Sequence, residues 1–168
     1  KGHAATALYA TLAHAGFFPL ADLARYNVNG GHLAEHPGPN YAPGVEAASG
    51  SLGHGLGLGI GMALAARINK RAYRVFVLMS DGECNEGSVW EAVMSASQFG
   101  LDNLTAIVDY NKLQSDGDSR QIIDFADLAG KFKSFGWNAQ EINGHDIEQI
   151  VAAFEAPIEQ GHPRVLVA

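Results

Sequence analysis

Two rhythms of apolar and polar positions divide this chain. From residue 73 onward, short apolar runs alternate with stretches of helical spacing. Residues 73–79 (YRVFVLM) predict a buried strand, and residues 86–100 a helix with Val89, Val93 and Phe99 turned inward. Leu104–Asp109 (LTAIVD) predicts the next strand, followed by the polar segment YNKLQSDGD. Residues 122–135 contain a further helix and residues 137–142 a strand. Asp146, after Gly144-His145, suits the N-cap of a helix whose apolar positions are Ile147, Ile150, Val151 and Phe154. Residues 164–168 open a last apolar strand. Apolar strands alternating with helices predict an α/β domain, a mostly parallel sheet flanked by helices.

The first third reads differently. Residues 3–15 predict a short helix with Leu8 and Leu12 on one face, ended by Gly16. An apolar turn (Phe17, Phe18, Pro19) and a second short helix over residues 21–26 follow. Residues 27–51 are rich in Gly, Pro, Asn and His and predict a long irregular segment, which in a compact domain is usually functional or disordered. Residues 52–70 predict a helix in which Gly53, Gly57, Gly61 and Ala65 recur every four residues. Each mid-helix glycine costs roughly 1 kcal/mol against alanine. A run at 53, 55, 57, 59 and 61 therefore calls for very close packing against a helix, a second copy or a cofactor.

Composition narrows the function. The chain has 168 residues, 47% of them hydrophobic, enough for one domain with a sizeable core. Its net charge of −7, without a basic patch, argues against bulk nucleic-acid binding and against an anionic membrane surface. No apolar run approaches the roughly 20 residues of a spanning helix, and no signal-peptide pattern is present. One cysteine, Cys84, cannot form an internal disulfide and suits a reducing, cytoplasmic compartment. The chain starts at Lys1-Gly2-His3 without Met and stops inside a strand-like run. It reads as a single domain over residues 1–168, incomplete at both termini.

In open parallel sheets, ligands sit beyond the carboxyl ends of the strands. After the first strand comes Ser80-Asp81-Gly82-Glu83-Cys84-Asn85-Glu86-Gly87, and after the second comes Asp109-Tyr110-Asn111-Lys112-Leu113. Adjacent parallel strands would bring Asp81 and Asn111 to one rim. A carboxylate and an amide oxygen there suit Mg²⁺ or Ca²⁺, with coordination positions left for phosphate oxygens. Gly82 lets a backbone N–H approach a phosphate, and the following helix aims its positive end the same way.

Asp81-Gly82, Glu86-Gly87 and Glu91-Ala92, with Asn111 thirty residues after the aspartate, resemble the thiamine-diphosphate motif of transketolases. Ser80 stands where the motif usually begins with glycine, and it is expected to crowd the phosphate turn slightly. Lys1-Gly2-His3-Ala4 resembles the family's first cofactor loop, and His36-Pro37 its active-site His-Pro. Pro43-Gly44-Val45-Glu46 through Gly50-Ser51-Leu52-Gly53-His54-Gly55 resembles its PGVE…TGxLGxG segment. The order of motifs is that of the N-terminal, diphosphate-binding half, which in bacteria and archaea can be a separate subunit.

The resemblance implies thiamine diphosphate and Mg²⁺ (or Ca²⁺) as cofactors. Asp81, the Asn111 side chain and the Leu113 main-chain carbonyl would be the metal ligands, and Gly82 a diphosphate contact. Gly50 would accept a hydrogen bond from the aminopyrimidine, and Leu52 would prop the bent cofactor. His3 and His36 would act at the thiazolium and at the donor ketose hydroxyls. Glu86 would join an acidic network between two active sites across a dimer interface, with Glu91 supporting it. The implied activity is transfer of a two-carbon ketol unit from a ketose to an aldose, among sugar phosphates or sugar derivatives. It requires a pyrimidine-binding C-terminal transketolase subunit, so the chain alone would be inactive and would work as part of an oligomer.

Two other readings stay open. One is a specialised thiamine-diphosphate ketol or acyl transferase of modified-sugar or secondary metabolism, including a deoxyxylulose-phosphate-synthase-like enzyme. The other is a non-catalytic interaction subunit that keeps the motif for folding.

Overall fold

The computed structural model describes residues 1–115 and 117–168. Asp116, in the polar segment expected after the second strand, lies outside the described residues. The chain forms two compact units, Lys1–Leu52 and Gly53–Ala168.

The second unit is α/β, as the alternating pattern predicts. Its helices are α2 (Gly55–Ile68), α3 (Gly87–Gln98), α4 (Ser119–Ile122), α5 (Leu128–Ser134) and α6 (Ile147–Glu155), α1 belonging to the first unit. Its strands are β1 (Val75–Ser80), β2 (Leu104–Asp109), β5 (Asn138–Glu141) and β6 (Arg164–Val167). They make one parallel sheet in the order β1-β2-β6-β5. A two-stranded antiparallel ribbon, β3 (Leu113–Gln114) with β4 (Gly117–Asp118), rises from the polar segment after β2.

The central strands read as continuous apolar runs because both of their faces are covered. Leu104, Ala106 and Val108 of β2 are fully buried, as are Val165 and Leu166 of β6. On α3, Val89, Ala92, Val93 and Ala96 turn inward at helical spacing, but Phe99 does not. The helix stops at Gln98, and Phe99 is 49% exposed in the turn that follows. The expected helix over residues 122–135 is in fact α4 and α5, separated by Ile123, Asp124, Phe125, Ala126 and Asp127. Asp127 caps α5 by accepting from the Gly130 N–H. Asp146 caps α6, accepting from the N–H groups of Glu148 and Gln149. The apolar face expected on α6 is mostly open: Ala153 is its buried residue, while Ile147 and Val151 stay exposed.

The glycine-rich helix also departs from expectation. Gly53 precedes α2 and has a φ of +80°. Within α2 the close contact is at Gly59, where a Cβ would meet Val77 Cγ2. Gly57 and Gly61 face open space instead. The packing stripe is therefore Leu56, Gly59, Ile60, Ala63 and Ala66, which lays α2 against β1 and α3.

The first unit holds α1 (Ala5–His14), preceded by a 3₁₀ turn at Gly2–Ala4 and followed by another at Leu20–Arg25. Between Asn27 and Leu52 the described residues form neither helix nor strand, as the composition predicts. Its core is Ala5, Tyr9, Ala13, Phe18, Leu33, Ala42 and Val45. The inward face of α1 is thus Ala5-Tyr9-Ala13. Leu12 packs at its margin, and Leu8 is 40% exposed.

Candidate functional site

In the second unit, the pairing of β1 with β2 decides the geometry. Ser80 stands opposite Asp109, and the Asp81 N–H donates to the Asp109 carbonyl at 3.3 Å. Asp81 and Asn111 therefore leave neighbouring strands at the same carboxyl rim. Asp81 is fully buried. Its Oδ2 accepts from the Ser119 hydroxyl at 2.6 Å, while Oδ1 is buried with no partner among the described residues. A buried carboxylate oxygen without a donor carries a large desolvation cost, which a bound cation removes.

Asn111 is exposed and forms a local turn. Its Oδ1 accepts from the Leu113 N–H at 2.9 Å, and its Nδ2 donates to Asp109. Lys112 between them takes a left-handed φ of +63°, which folds Leu113 back under Asn111 and into the β3–β4 ribbon. No group of three His, Cys, Asp or Glu side chains suited to a metal occurs among the described residues. The expected set asks for only one carboxylate, with an amide oxygen and a main-chain carbonyl. Asp81 and Asn111 are hard oxygen donors, and the unpartnered Oδ1 fits a divalent ion.

Gly82 opens a 3₁₀ turn, Gly82–Asn85. Gln114 of β3 lies over it: a Cβ at position 82 would come 3.0 Å from Gln114 Cγ. Gln114 in turn accepts from the Asn85 amide at 2.7 Å. A side chain at this position would have to push the Gln114 side chain aside by a few tenths of an ångström. Ser80 takes part in the turn through its side chain. Its hydroxyl oxygen accepts from the buried Glu83 N–H at 3.1 Å. Glu83, for which the apolar periodicity carries no signal, is 4% exposed, and its Oε1 accepts from the Gly53 N–H at 3.0 Å. Cys84 is fully buried. Burial first, then the Glu83 and Asp81 carboxylates, push its thiol pKa far up, so it is no nucleophile at neutral pH. Glu86 is exposed at the N-cap position of α3, and Glu91 is exposed one turn on.

In the first unit, His3, His36 and Gly50 come together around Gly2. The imidazole rings of His3 and His36 meet edge-on with centroids 5.7 Å apart. A Cβ on Gly2 would lie 2.8 Å from the Gly50 nitrogen and 3.1 Å from His36 Nδ1. A Cβ on Gly50, whose φ is +125°, would lie 3.0 Å from His36 Cγ. Two glycines thus let two backbone segments close directly on the His36 ring. His36 Nδ1 is buried without a partner among the described residues. His3 is exposed. A cleft of about 350 Å³ beside them is lined by residues 36–41 with Ala48 and Ser49. The Ser49 N–H, donating to the Pro37 carbonyl at 2.9 Å, ties its two walls. Leu52 is half-buried at the end of this unit.

Residues 1–168 match the family model described as transketolase, thiamine diphosphate binding domain. The chain belongs to the transketolase family. Among curated relatives, an apulose-4-phosphate transketolase subunit of Phocaeicola vulgatus is 41% identical over 93% of this chain and 55% of its own length. The 6-deoxy-6-sulfo-D-fructose transketolase subunit SqwG of Clostridium sp. (strain MSTE9) is 40% identical over 99% of this chain and 61% of its own length. The chain thus spans somewhat over half the length of these relatives. Among solved structures, a Pichia stipitis transketolase in complex with sedoheptulose-7-phosphate superposes with a TM-score of 0.90 at 31% identity, covering 99% of this chain and 26% of that one. The transketolase of Campylobacter jejuni gives 0.89 at 29% identity over 99% of this chain and 28% of that one. The parallel sheet with flanking helices is the transketolase fold over this part of the family's length.

Proposed function

We propose that this chain is the diphosphate-binding part of a thiamine-diphosphate- and divalent-metal-dependent transketolase, the N-terminal subunit of a two-subunit enzyme. The observation that carries the reading is the buried Asp81 Oδ1, without a partner among the described residues, at the carboxyl rim of β1. It sits within a motif whose family binds a metal-chelated diphosphate. The relatives named as transketolase subunits, at 40 and 41% identity, support the two-subunit form.

Asp81 and Asn111, with the Leu113 carbonyl, would hold Mg²⁺ or Ca²⁺ for the diphosphate, and Gly82 would add a backbone contact. Thiamine diphosphate, when bound, supplies the carbanion chemistry that cleaves and re-forms the bond beside a sugar carbonyl. Gly50 and Leu52 would hold and prop it. His36, its ring packed against Gly2 and Gly50, would hold or move a proton toward a ketose hydroxyl. His3 would do so from the exposed side of the pair. Glu86, exposed at the head of α3, is free to meet an acidic group of a second subunit. The pyrimidine-binding partner would complete the site, so the chain alone would be inactive.

The substrates are a ketose donor and an aldose acceptor. Relatives named for apulose-4-phosphate and for 6-deoxy-6-sulfo-D-fructose, at 41 and 40% identity, support a modified sugar as a second reading, beside a relative named simply transketolase at 44%. Calorimetric titration of thiamine diphosphate into the complex of both subunits, with and without Mg²⁺, tests the reading. We expect metal-dependent binding that Asp81→Ala loses. Absence of binding in every combination would favour an interaction subunit instead.

A further inference from the structure

We propose that Glu83 is a positioning residue whose carboxylate fixes the metal-and-diphosphate loop by gripping the backbone of Gly53. The inference rests on the cofactor reading above.

Gly53 is held through both of its backbone polar groups. Its N–H donates to Glu83 Oε1 at 3.0 Å, and its carbonyl accepts from the Ser88 hydroxyl at 3.1 Å. The approach is too close for any side chain: a Cβ on Gly53 would lie 2.5 Å from Ser88 Oγ and 2.7 Å from Glu86 Cβ. Its φ of +80° excludes one again on conformational grounds. Glu83 is itself tied at its backbone, its N–H donating to Ser80 Oγ. Between these two anchors lies Asp81-Gly82, the segment expected to meet metal and diphosphate.

The energetics point the same way. Glu83 is 4% exposed, and its Oε2 is buried without a partner among the described residues. A carboxylate taken out of water for a single backbone N–H is costly. Among the described residues, the Gly53 contact is thus the hydrogen bond on which its carboxylate depends. Neither Ser80 nor Glu83 carries a metal or phosphate contact of its own in this scheme. With Ser88 they replace the flexibility of a glycine-led turn with a clasp: Ser80 Oγ accepts from the Glu83 N–H, the Glu83 carboxylate accepts from the Gly53 N–H, and the Ser88 hydroxyl donates to the Gly53 carbonyl. A loop so held is organised before its ligand arrives, which lowers the ordering cost of binding.

The test uses the full natural chain with its partner subunit, as wild type, Glu83→Ala, Glu83→Gln and Ser88→Ala. Hydrogen exchange of peptides covering residues 53–56 and 80–86 is followed without cofactor. Affinity for thiamine diphosphate is measured at saturating Mg²⁺, and thermal unfolding is recorded alongside. Glu83→Ala should speed exchange in both segments and weaken the cofactor by roughly ten- to hundredfold, the loss of one charge-assisted hydrogen bond. Glu83→Gln keeps an acceptor oxygen and should recover most of that affinity. Ser88→Ala should move both readouts the same way, less far, and it decides the matter if Glu83→Ala does not fold. Wild-type exchange and wild-type affinity in the folded alanine variants would overturn the proposal, as would Glu83→Gln failing as badly as Glu83→Ala. If the wild type itself binds no thiamine diphosphate, the cofactor reading fails, and exchange alone still judges the clasp.

Discussion

The two units reach precision by opposite routes. In Gly53–Ala168, position is set by regular structure: parallel register puts Ser80 opposite Asp109, and the residues just beyond inherit their places from the sheet. In Lys1–Leu52, one ten-residue helix is the longest regular element, and position is set by backbone closing on a side chain at Gly2, Gly50 and His36. A sheet tolerates sequence variation as long as its apolar pattern holds. The glycine-lined histidine pair tolerates almost none, because there is no room for a Cβ.

The contrast can be broken or sharpened by substitution, beginning with the largest effect. Asp81→Ala removes the one carboxylate of the proposed metal site. Since disturbing groups that merely support metal ligands costs roughly 10–100-fold, cofactor affinity at saturating Mg²⁺ should fall by more than about a hundredfold. Calorimetry measures this, with circular dichroism confirming that the sheet survives. His36→Ala should leave that affinity within a few-fold but lower kcat in the reconstituted complex by about a hundredfold, the usual scale of a positioned proton carrier. An unchanged kcat would strip the first unit of its chemical role.

Next come the glycines. Gly50→Ala, strained by its φ of +125° and by the His36 ring, should cost about 1–3 kcal/mol in chemical denaturation. Gly59→Ala should cost a similar amount, about 1–3 kcal/mol, through overpacking against Val77. Gly57→Ala, facing open space on the same helix, should stabilise by about 0.4–1 kcal/mol. Equal effects at 57 and 59 would show that the inward face of α2 has been assigned wrongly.

The smallest effect is a pH dependence. Backbone and side-chain hydrogen bonds from Gln149, then the Glu148 N–H, hold the Asp146 carboxyl below the usual aspartate range. A folded pKa below the unfolded one means a contribution present above the unfolded value, near about 3.9, and lost as pH falls through the folded one. Asp146→Asn should therefore lower stability slightly at neutral pH and leave it nearly unchanged at the acid end, flattening the profile read by pH-dependent denaturant titration.

Legibility followed the same division. LTAIVD states β2 plainly, because a strand covered on both faces is mostly apolar, with Thr105 its buried polar exception. Asp146 and the α6 spacing state a helix, yet Ile147 and Val151 remain exposed, since amphipathic spacing does not say which surface covers the face. The glycine stripe is legible only in part for a related reason. Five glycines two residues apart fit several faces, and only the contact with Val77 selects Gly59. Asp81, Asn111, His3 and His36 were legible as motif members. Glu83 and Ser119 were not: each acts through one long-range hydrogen bond, 30 and 38 residues distant in sequence, and periodicity cannot encode that.

The strand order has a consequence for how the protein is made. β6 lies between β2 and β5, pairing with both, yet it is the last of the four to be translated. Until Arg164–Val167 leaves the ribosome, β2 and β5 have no neighbour at the centre of the sheet, and their backbone edges stand open. Such edges are templates for pairing with other nascent chains. The sheet therefore closes by insertion at its middle, late and over a long sequence separation. Pairing that waits on so distant a segment is intrinsically slow, and it leaves two strand edges exposed in the meantime.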